Sequence, residues 1–297
     1  LKWIITKEQE GIFIRDYLRE VRGLSRRLIK AIKFNGGSLL VNGELSTVRR
    51  KLIEGDELEV ILPPEERGSY MKPEKLPLDI VYEDDDVLVI NKPSGVATIP
   101  SFNHVSGTIA NRILGYYDEH KLDYTVHIVT RLDRDTSGLM LVAKHRYSHS
   151  ILSNDQKQGL VNRRYYAIIE GKLGNKNGVV DLPIARETDS IIKRRVHDDG
   201  QRAITRYEVE KEIGETTLLD IKLETGRTHQ IRVHFSHLGH PLIGDDLYGG
   251  DMTVMKRQAL HCRLLSFIQP TTKERINLSS ELPEDMKQYF MQKSSSL

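Results

Sequence analysis

Two carboxylates, two guanidiniums and two hydroxyls fall within eight consecutive residues, Arg131-Leu-Asp-Arg-Asp-Thr-Ser-Gly138. Such a set can move a proton, attack an electrophilic carbon or hold an anion. The segment runs straight into Leu139-Met-Leu-Val-Ala143, an apolar run ended by Lys144 that reads as a buried strand. A buried strand holds its leading loop rigidly. Carboxylates at its mouth are partly desolvated, so Asp133 or Asp135 is expected to have a fixed cationic or hydrogen-bonding partner. A plain surface turn would explain Asp135-Thr-Ser-Gly138, but it requires neither Arg131 nor a second Asp.

A candidate partner lies downstream in Thr225-Gly-Arg-Thr-His-Gln-Ile-Arg-Val-His234. Ile231, Phe235 and Leu238 recur at helical spacing, with Thr228 placed to cap the start and Gly239 to end the helix. His229, Arg232 and Ser236 then share a neighbouring face. An Arg on a packed helix is held still enough for a forked bond to a carboxylate. By spacing alone, an ordinary buried ion pair fits as well as a reactive one.

Further tracts supply what spacing cannot. Asn91-Lys-Pro-Ser-Gly95 follows the apolar run Val87-Leu-Val-Ile90, and Arg163-Arg-Tyr-Tyr-Ala-Ile-Ile-Glu-Gly171 reads as a strand. With the two segments above, and with Gly200–Tyr207, Gly239–Gly249 and Leu260–Phe267, these resemble the signature motifs of the RluA/RluD family of RNA pseudouridine synthases, in family order across residues 77 to 271. The resemblance implies that Asp133 is the catalytic aspartate, Tyr165 the active-site tyrosine, Arg232 the partner of the aspartate and Arg131 an RNA-contacting residue. It implies no cofactor and no metal. Thr130 departs from the pattern, standing where many family members have His, which points to altered bonding around the site or altered RNA contact and not to lost activity.

The implied reaction breaks the N1–C1′ bond of uridine, turns the free uracil and rejoins it through C5. A carboxylate can serve by attacking C1′, by attacking C6 of the base or by removing a ribose proton, and the sequence leaves all three routes open. Arg232 would keep Asp133 ionised and oriented. Tyr165 offers an aromatic face for stacking the base. A uridine buried in stacked RNA must first be extruded, and Arg131, planar and near Asp133, is a reasonable wedge for the gap.

The elements that position these groups belong to a chain of 297 residues, long enough for two domains. Net charge is only +2, but Arg22, Arg26, Arg27, Lys30, Lys33, Arg49, Arg50 and Lys51 oppose a single carboxylate, Glu44, over that stretch. Ser25 caps a helix that ends near Asn35-Gly-Gly37, with Leu24 and Ile29 spaced as a hydrophobic staple. Leu28, Ile29 and Ile32 point one way, and Arg26, Lys30 and Lys33 the other. Strands at 38–44, with an Asn-Gly turn, and at 56–62 follow. This order resembles the S4 RNA-binding domain, and the resemblance assigns the eight cations to RNA contact.

The expected fold is α+β: a small S4-like α/β domain at 1–62, a linker at 63–76, and a catalytic domain at 77–290 of mixed, mainly antiparallel sheet with flanking helices. A disordered tail is expected at 291–297, with fraying after about Glu284. The proline-rich linker leaves the two units free to move relative to each other. Strands are expected at 78–82, 87–91, 139–144, 163–171, 203–212 and 216–224, and helices at 146–158 and 229–238. One cysteine, Cys262, excludes an intramolecular disulfide, and no secretory or membrane-length apolar run occurs, so a soluble, cytoplasmic protein is expected; a monomer is expected as well. Structured RNA is the expected partner, large-subunit ribosomal RNA first and tRNA second.

Three rivals exist. Asp133-Arg-Asp-Thr136 fits an aspartate-nucleophile phosphatase pattern, with Asp245-Asp246 as its acidic pair, but Asp133 precedes its strand instead of following one. A metal hydrolase built on His229, His234, His237 and His240 has no Glu placed as base. A non-catalytic RNA-binding protein would not need Asp133, Tyr165 and Arg232 together.

Overall fold

The computed structural model describes residues 1–65, 67–68, 71–101 and 104–294. The N-terminal unit carries β1 (Lys2–Ile4), α1 (Ile14–Asp16) running into a π turn at Tyr17–Val21, α2 (Arg26–Phe34), β2 (Ser38–Val41), β3 (Glu44–Leu45) and β4 (Glu57–Ile61). The strands form a sheet in the order β1-β4-β2-β3. Leu39 and Val41 on β2, and Leu58 and Val60 on β4, alternate inward and bury against Leu28 and Ile32 of α2. Ser25 Oγ accepts the Leu28 N–H at 3.1 Å, and Asn35 caps the other end, as the helix signals require. Asn42 and Gly43 both take positive φ, 56° and 82°, the geometry of a tight hairpin turn whose twist suits the flanking strands.

This core is not self-contained. Tyr147 and Ile151 of α4 (Arg146–Lys157) belong to it, with the Tyr147 ring edge-on to Trp3 at 6.1 Å. The linker is fastened as well. Glu65 lies 2.7 Å from His127 and 3.1 Å from Arg146, and Arg67 donates to the carbonyls of Tyr124 (2.8 Å) and Leu122 (2.9 Å). The free relative motion expected from the prolines is therefore opposed by specific contacts at Glu65 and Arg67. Linker residues 66, 69 and 70 fall outside the described residues.

The larger sheet contains β5 (Ile80–Glu83), β6 (Val87–Lys92), β7 (His127–Ile128), β8 (Ser137–Ala143), β9 (Asn162–Glu170), β10 (Asn177–Asp181), β13 (Ile204–Ile213), β14 (Thr216–Leu223), β15 (Leu260–Ile268) and β16 (Arg275–Ser279). Its order is β10-β13-β14-β9-β15-β8-β6-β5, with β16 on β15 and β7 on β8. The short hairpin β11 (Ile184–Arg186) and β12 (Arg194–Val196) stands apart. Helices α3 (Ile109–Glu119), α4 and α5 (Gln230–His237) accompany the large sheet. Its pairs are antiparallel except β15 with β8, where His261 faces Ser137 and Cys262 faces Gly138. There the backbones nearly touch: a Cβ at Gly138, whose φ is 110°, would lie 2.3 Å from the Cys262 carbonyl oxygen. Only glycine fits that approach. The apolar run of β8 is buried throughout, consistent with a strand covered on both faces.

Two further expectations fail at the helices. The chain after Glu284 does not fray at once but forms α6 (Glu284–Ser294), anchored by buried Met286 and Tyr289; residues 295–297 of the expected tail lie outside the described residues. Leu238, expected in the buried stripe of α5, is 41% exposed, because the helix ends at His237.

Candidate active site

The loop before β8 is pinned through its own carbonyls. Thr98 Oγ1 donates to Leu132 O (2.7 Å), Lys92 Nζ to Arg134 O (2.7 Å), and Arg257 Nη1 reaches Asp135 O (3.3 Å). Lys92 is fully buried and also donates to Pro93 O and Val96 O, so three carbonyls receive its three donors. Burial lowers its pKa to about 7, against the pull of Asp135 and Asp133. Thr130 is buried too, and its hydroxyl accepts the Leu141 N–H at 2.9 Å, docking the loop onto β8. The threonine thus carries a bond to the strand it precedes.

Asp133 sits at the mouth of this loop with its carboxylate 27% exposed. Arg232 Nη1 donates to it at 3.2 Å, so the expected pair forms across the fold. The fork expected of Arg232 goes elsewhere: Nε and Nη2 grip both oxygens of Asp245, at 2.7 and 2.8 Å. Asp245 is wholly buried and aims the guanidinium, leaving one Nη for Asp133. Burial opposes the Arg232 charge, yet the bonds to Asp245, and then Asp133, outweigh it and hold its pKa above the ordinary value. The Arg232 head also lies over the Tyr248 ring, 5.0 Å from its centroid.

Helix α5 begins differently from the expectation. Its cap is His229, left-handed at φ 57°, and not Thr228. The Gln230 side chain closes the turn by accepting from Arg227 N (2.9 Å) and Thr225 Oγ1 (2.8 Å). The strained cap turns the His229 ring toward the site, where Nε2 lies 3.9 Å from Asp133 and Nδ1 lies 2.9 Å from Tyr248 Oη. Burial lowers the His229 pKa, against the pull of Asp133.

Tyr165 projects from β9 into the same pocket and is 3% exposed. Burial pushes its phenol well above the ordinary value, so it stays protonated. The pocket is lined by Arg131, Asp133, Arg163, Tyr165, Ile231 and Arg232 among others. Arg131 is exposed at its rim. The structure therefore brings Arg131, Asp133, Tyr165 and Arg232 together. Sequence reasoning passed over Arg257, gave Lys92 and Tyr248 no role of their own within the motifs that contain them, and took His229 only as a neighbour of Arg232 or a rival metal ligand. Asp245 was noticed only as a possible phosphatase acid, and no spacing signal ties it to Arg232.

The rival sites dissolve. His234 is buried and spent on Thr205 Oγ1 and Leu182 O, each at 2.9 Å, and among the described residues no three His, Cys, Asp or Glu side chains gather as a metal site. Asp245 is committed to Arg232. Of the eight N-terminal cations, Arg26, Arg27, Lys30, Lys33, Arg49 and Lys51 are exposed. Arg22 and Arg50 are engaged internally. Arg22 bonds Tyr17 Oη (2.7 Å) and lies over Trp3, and Arg50 lies 3.5 Å from Asp56. Among the described residues no helix is long and apolar enough to cross a membrane.

A loop carboxylate, an aimed guanidinium and a buried tyrosine thus meet in one pocket on a mixed, mainly antiparallel sheet, and comparison with known proteins gives the class. The family model described as RNA pseudouridylate synthase matches residues 86–237, and the chain belongs to this family of enzymes, which isomerise uridine to pseudouridine in RNA. The chain is 53% identical over 273 residues to the uncharacterised RNA pseudouridine synthase YjbO of Bacillus subtilis, covering 92% of this chain and 96% of that one. It is 39% identical over 260 residues to the ribosomal large subunit pseudouridine synthase D of Pasteurella multocida, covering 82% and 80%. Among solved structures, human RNA pseudouridylate synthase domain containing 1 shares the fold at a TM-score of 0.58 and 23% identity, over 78% of this chain and 98% of that one.

Proposed function

We propose that Asp133 is the catalytic carboxylate of this pseudouridine synthase, that Arg232 orients it, and that Tyr165 stacks the extruded uracil. The observation that carries this reading is the 3.2 Å contact of Arg232 with Asp133 at the mouth of the pocket containing Tyr165. Arg131, exposed at the rim, fills the gap left by the extruded base. The direct test is tritium release from C5-labelled uridine in RNA, with chelator present. Folded Asp133→Asn is expected to release none above background, and release at the parental rate would end this reading. Arg131→Ala should slow single turnover on structured RNA far more than on an unstructured oligonucleotide; equal effects would remove the wedge role.

Large-subunit ribosomal RNA is the proposed substrate. Several relatives at 37–39% identity are named ribosomal large subunit pseudouridine synthase D. The N-terminal unit, residues 1–62, is proposed to act as an S4-like RNA-binding domain, joined by a linker at 63–76 to a catalytic domain at 77–290. The exposed cations of α2 support that role, since Arg26 and Arg27 oppose the helix dipole in its first turn, a cost that phosphate contact would offset. The enzyme is proposed to work as a cytoplasmic monomer. Mapping pseudouridine in RNA from cells with and without the gene tests the substrate: sites lost only from tRNA would replace ribosomal RNA in this proposal.

A further inference from the structure

Arg163 lines the same pocket as Asp133 and Tyr165. It is only 9% exposed. Arg232 and Arg257 are comparably buried, and each forks onto a carboxylate. Among the described residues no carboxylate lies within ion-pair distance of Arg163, and the one hydrogen bond of its guanidinium, Nη1 to Tyr165 Oη, is long at 3.4 Å. Gly226 leaves room for the head: a Cβ there would lie 2.9 Å from Arg163 Nη2. A desolvated cation without a counter-charge is costly, so its persistence in a substrate pocket points to an anionic or strongly accepting ligand.

Its place on β9 says which part of the RNA that is. Residues two apart on a strand share a face, so the guanidinium lies at the hydroxyl edge of the Tyr165 ring and not over its plane. A base stacked on Tyr165 would turn its own edge toward Arg163. Backbone phosphates would meet Arg131 and Arg227 first, both exposed at the rim of the site. We propose that Arg163 donates to a carbonyl oxygen of the extruded uracil and stabilises the negative charge that the base carries between bond breaking and bond making. This rests on the Asp133 reading above.

The charge arises by any of the routes open to Asp133. When N1–C1′ breaks, its electron pair leaves with N1 and spreads onto O2 and O4. If the carboxylate first adds to C6, the charge falls on O4 through C5. The pair returns as C5 bonds to C1′; C5 then loses its proton and N1 gains one, so no outside oxidant or reductant enters. A fixed donor aimed at developing charge in a water-poor pocket typically contributes about 10²–10³-fold in rate.

The test uses the full chain and C5-tritiated bulk RNA from cells lacking the gene. Arg163→Gln should lower the saturating rate of tritium release by about 10²-fold or more, with RNA affinity and its salt dependence held within about threefold of the parent. Arg163→Lys should recover part of the loss, since it restores a donor without the fork. Gly226→Ala, which displaces the guanidinium without removing it, should also slow the saturating rate, and it keeps the test alive should Arg163→Gln misfold. An intact saturating rate in these variants overturns the proposal. So does weakened binding with a salt slope flatter by about one phosphate, which would make Arg163 a backbone contact. Asp133→Asn is run alongside: activity there would mean that the underlying site reading had failed, independently of Arg163.

Discussion

Asp245 shows how one side chain can control another. With both oxygens committed to Arg232, it fixes the guanidinium plane and leaves a single Nη for Asp133. Asp245→Ala strands a buried cation and should destabilise the protein by about 3–5 kcal/mol in urea titration, and the saturating rate should fall because Arg232 can rotate away from Asp133. Asp245→Asn retains the shape and should cost less on both measures. A second prediction concerns acid. His261 is buried with Nδ1 2.9 Å from Ser137 Oγ, and burial, with the nearby Arg257, lowers its pKa to about 4. The folded state therefore keeps it neutral where the unfolded chain, near about 6.5, already takes a proton. Its contribution is present above about pH 6.5 and is lost as pH falls through about 4. Unfolding free energy measured at pH 7 and pH 4.5 should drop less in His261→Asn than in the parent; an equal drop would refute the assignment.

At the scale of elements, glycine decides how two strands meet. Gly138→Ala would push a methyl into the Cys262 backbone, so β8 and β15 must part at the one parallel seam of the sheet. The expected outcome is insoluble or inactive protein with a large loss of thermal stability, and a soluble variant of parental activity would contradict this packing. The neighbouring elements were unevenly legible in the sequence. β8, β9, β13, β14 and α4 were readable because apolar runs and alternation bound them to within a residue or two. α5 was readable in place but not in its start, since a left-handed His229 follows no cap rule and Gln230 does a job usually given to a preceding Ser or Thr. The hairpin β11–β12 carried no periodic signal, and α6 has a charged composition that hid its two buried anchors. The Asp133–Arg232 pair was legible through the motifs. The Asp245 fork was not, because partner choice among buried ions depends on where three distant segments meet.

Over the whole molecule, the N-terminal unit is wedded to the catalytic part by aromatic packing and by the Glu65 contacts. Removing residues 1–62 would expose Tyr147 and Ile151, which complete that unit's core. The truncated protein should therefore lose stability as well as RNA affinity, whereas Arg26→Gln with Lys30→Gln should weaken binding and flatten its salt dependence with turnover on a short, saturating substrate preserved. Loss of saturating turnover in that double variant would show that the basic helix does more than hold RNA. Trp3→Ala should cost about 3–5 kcal/mol, the usual effect of emptying a large aromatic site, and would locate the seam between the two units calorimetrically.

The seam between Ser137 and His261 joins positions 124 apart along the chain, and the pinned loop sits directly against it. A nascent polypeptide emerging from the ribosome presents that loop long before its supporting strand has been synthesised. Such long-range closure is slow relative to local helix formation. Competence to modify RNA should consequently appear only after Leu260–Ile268 has left the exit tunnel and closed against Ser137 and Gly138.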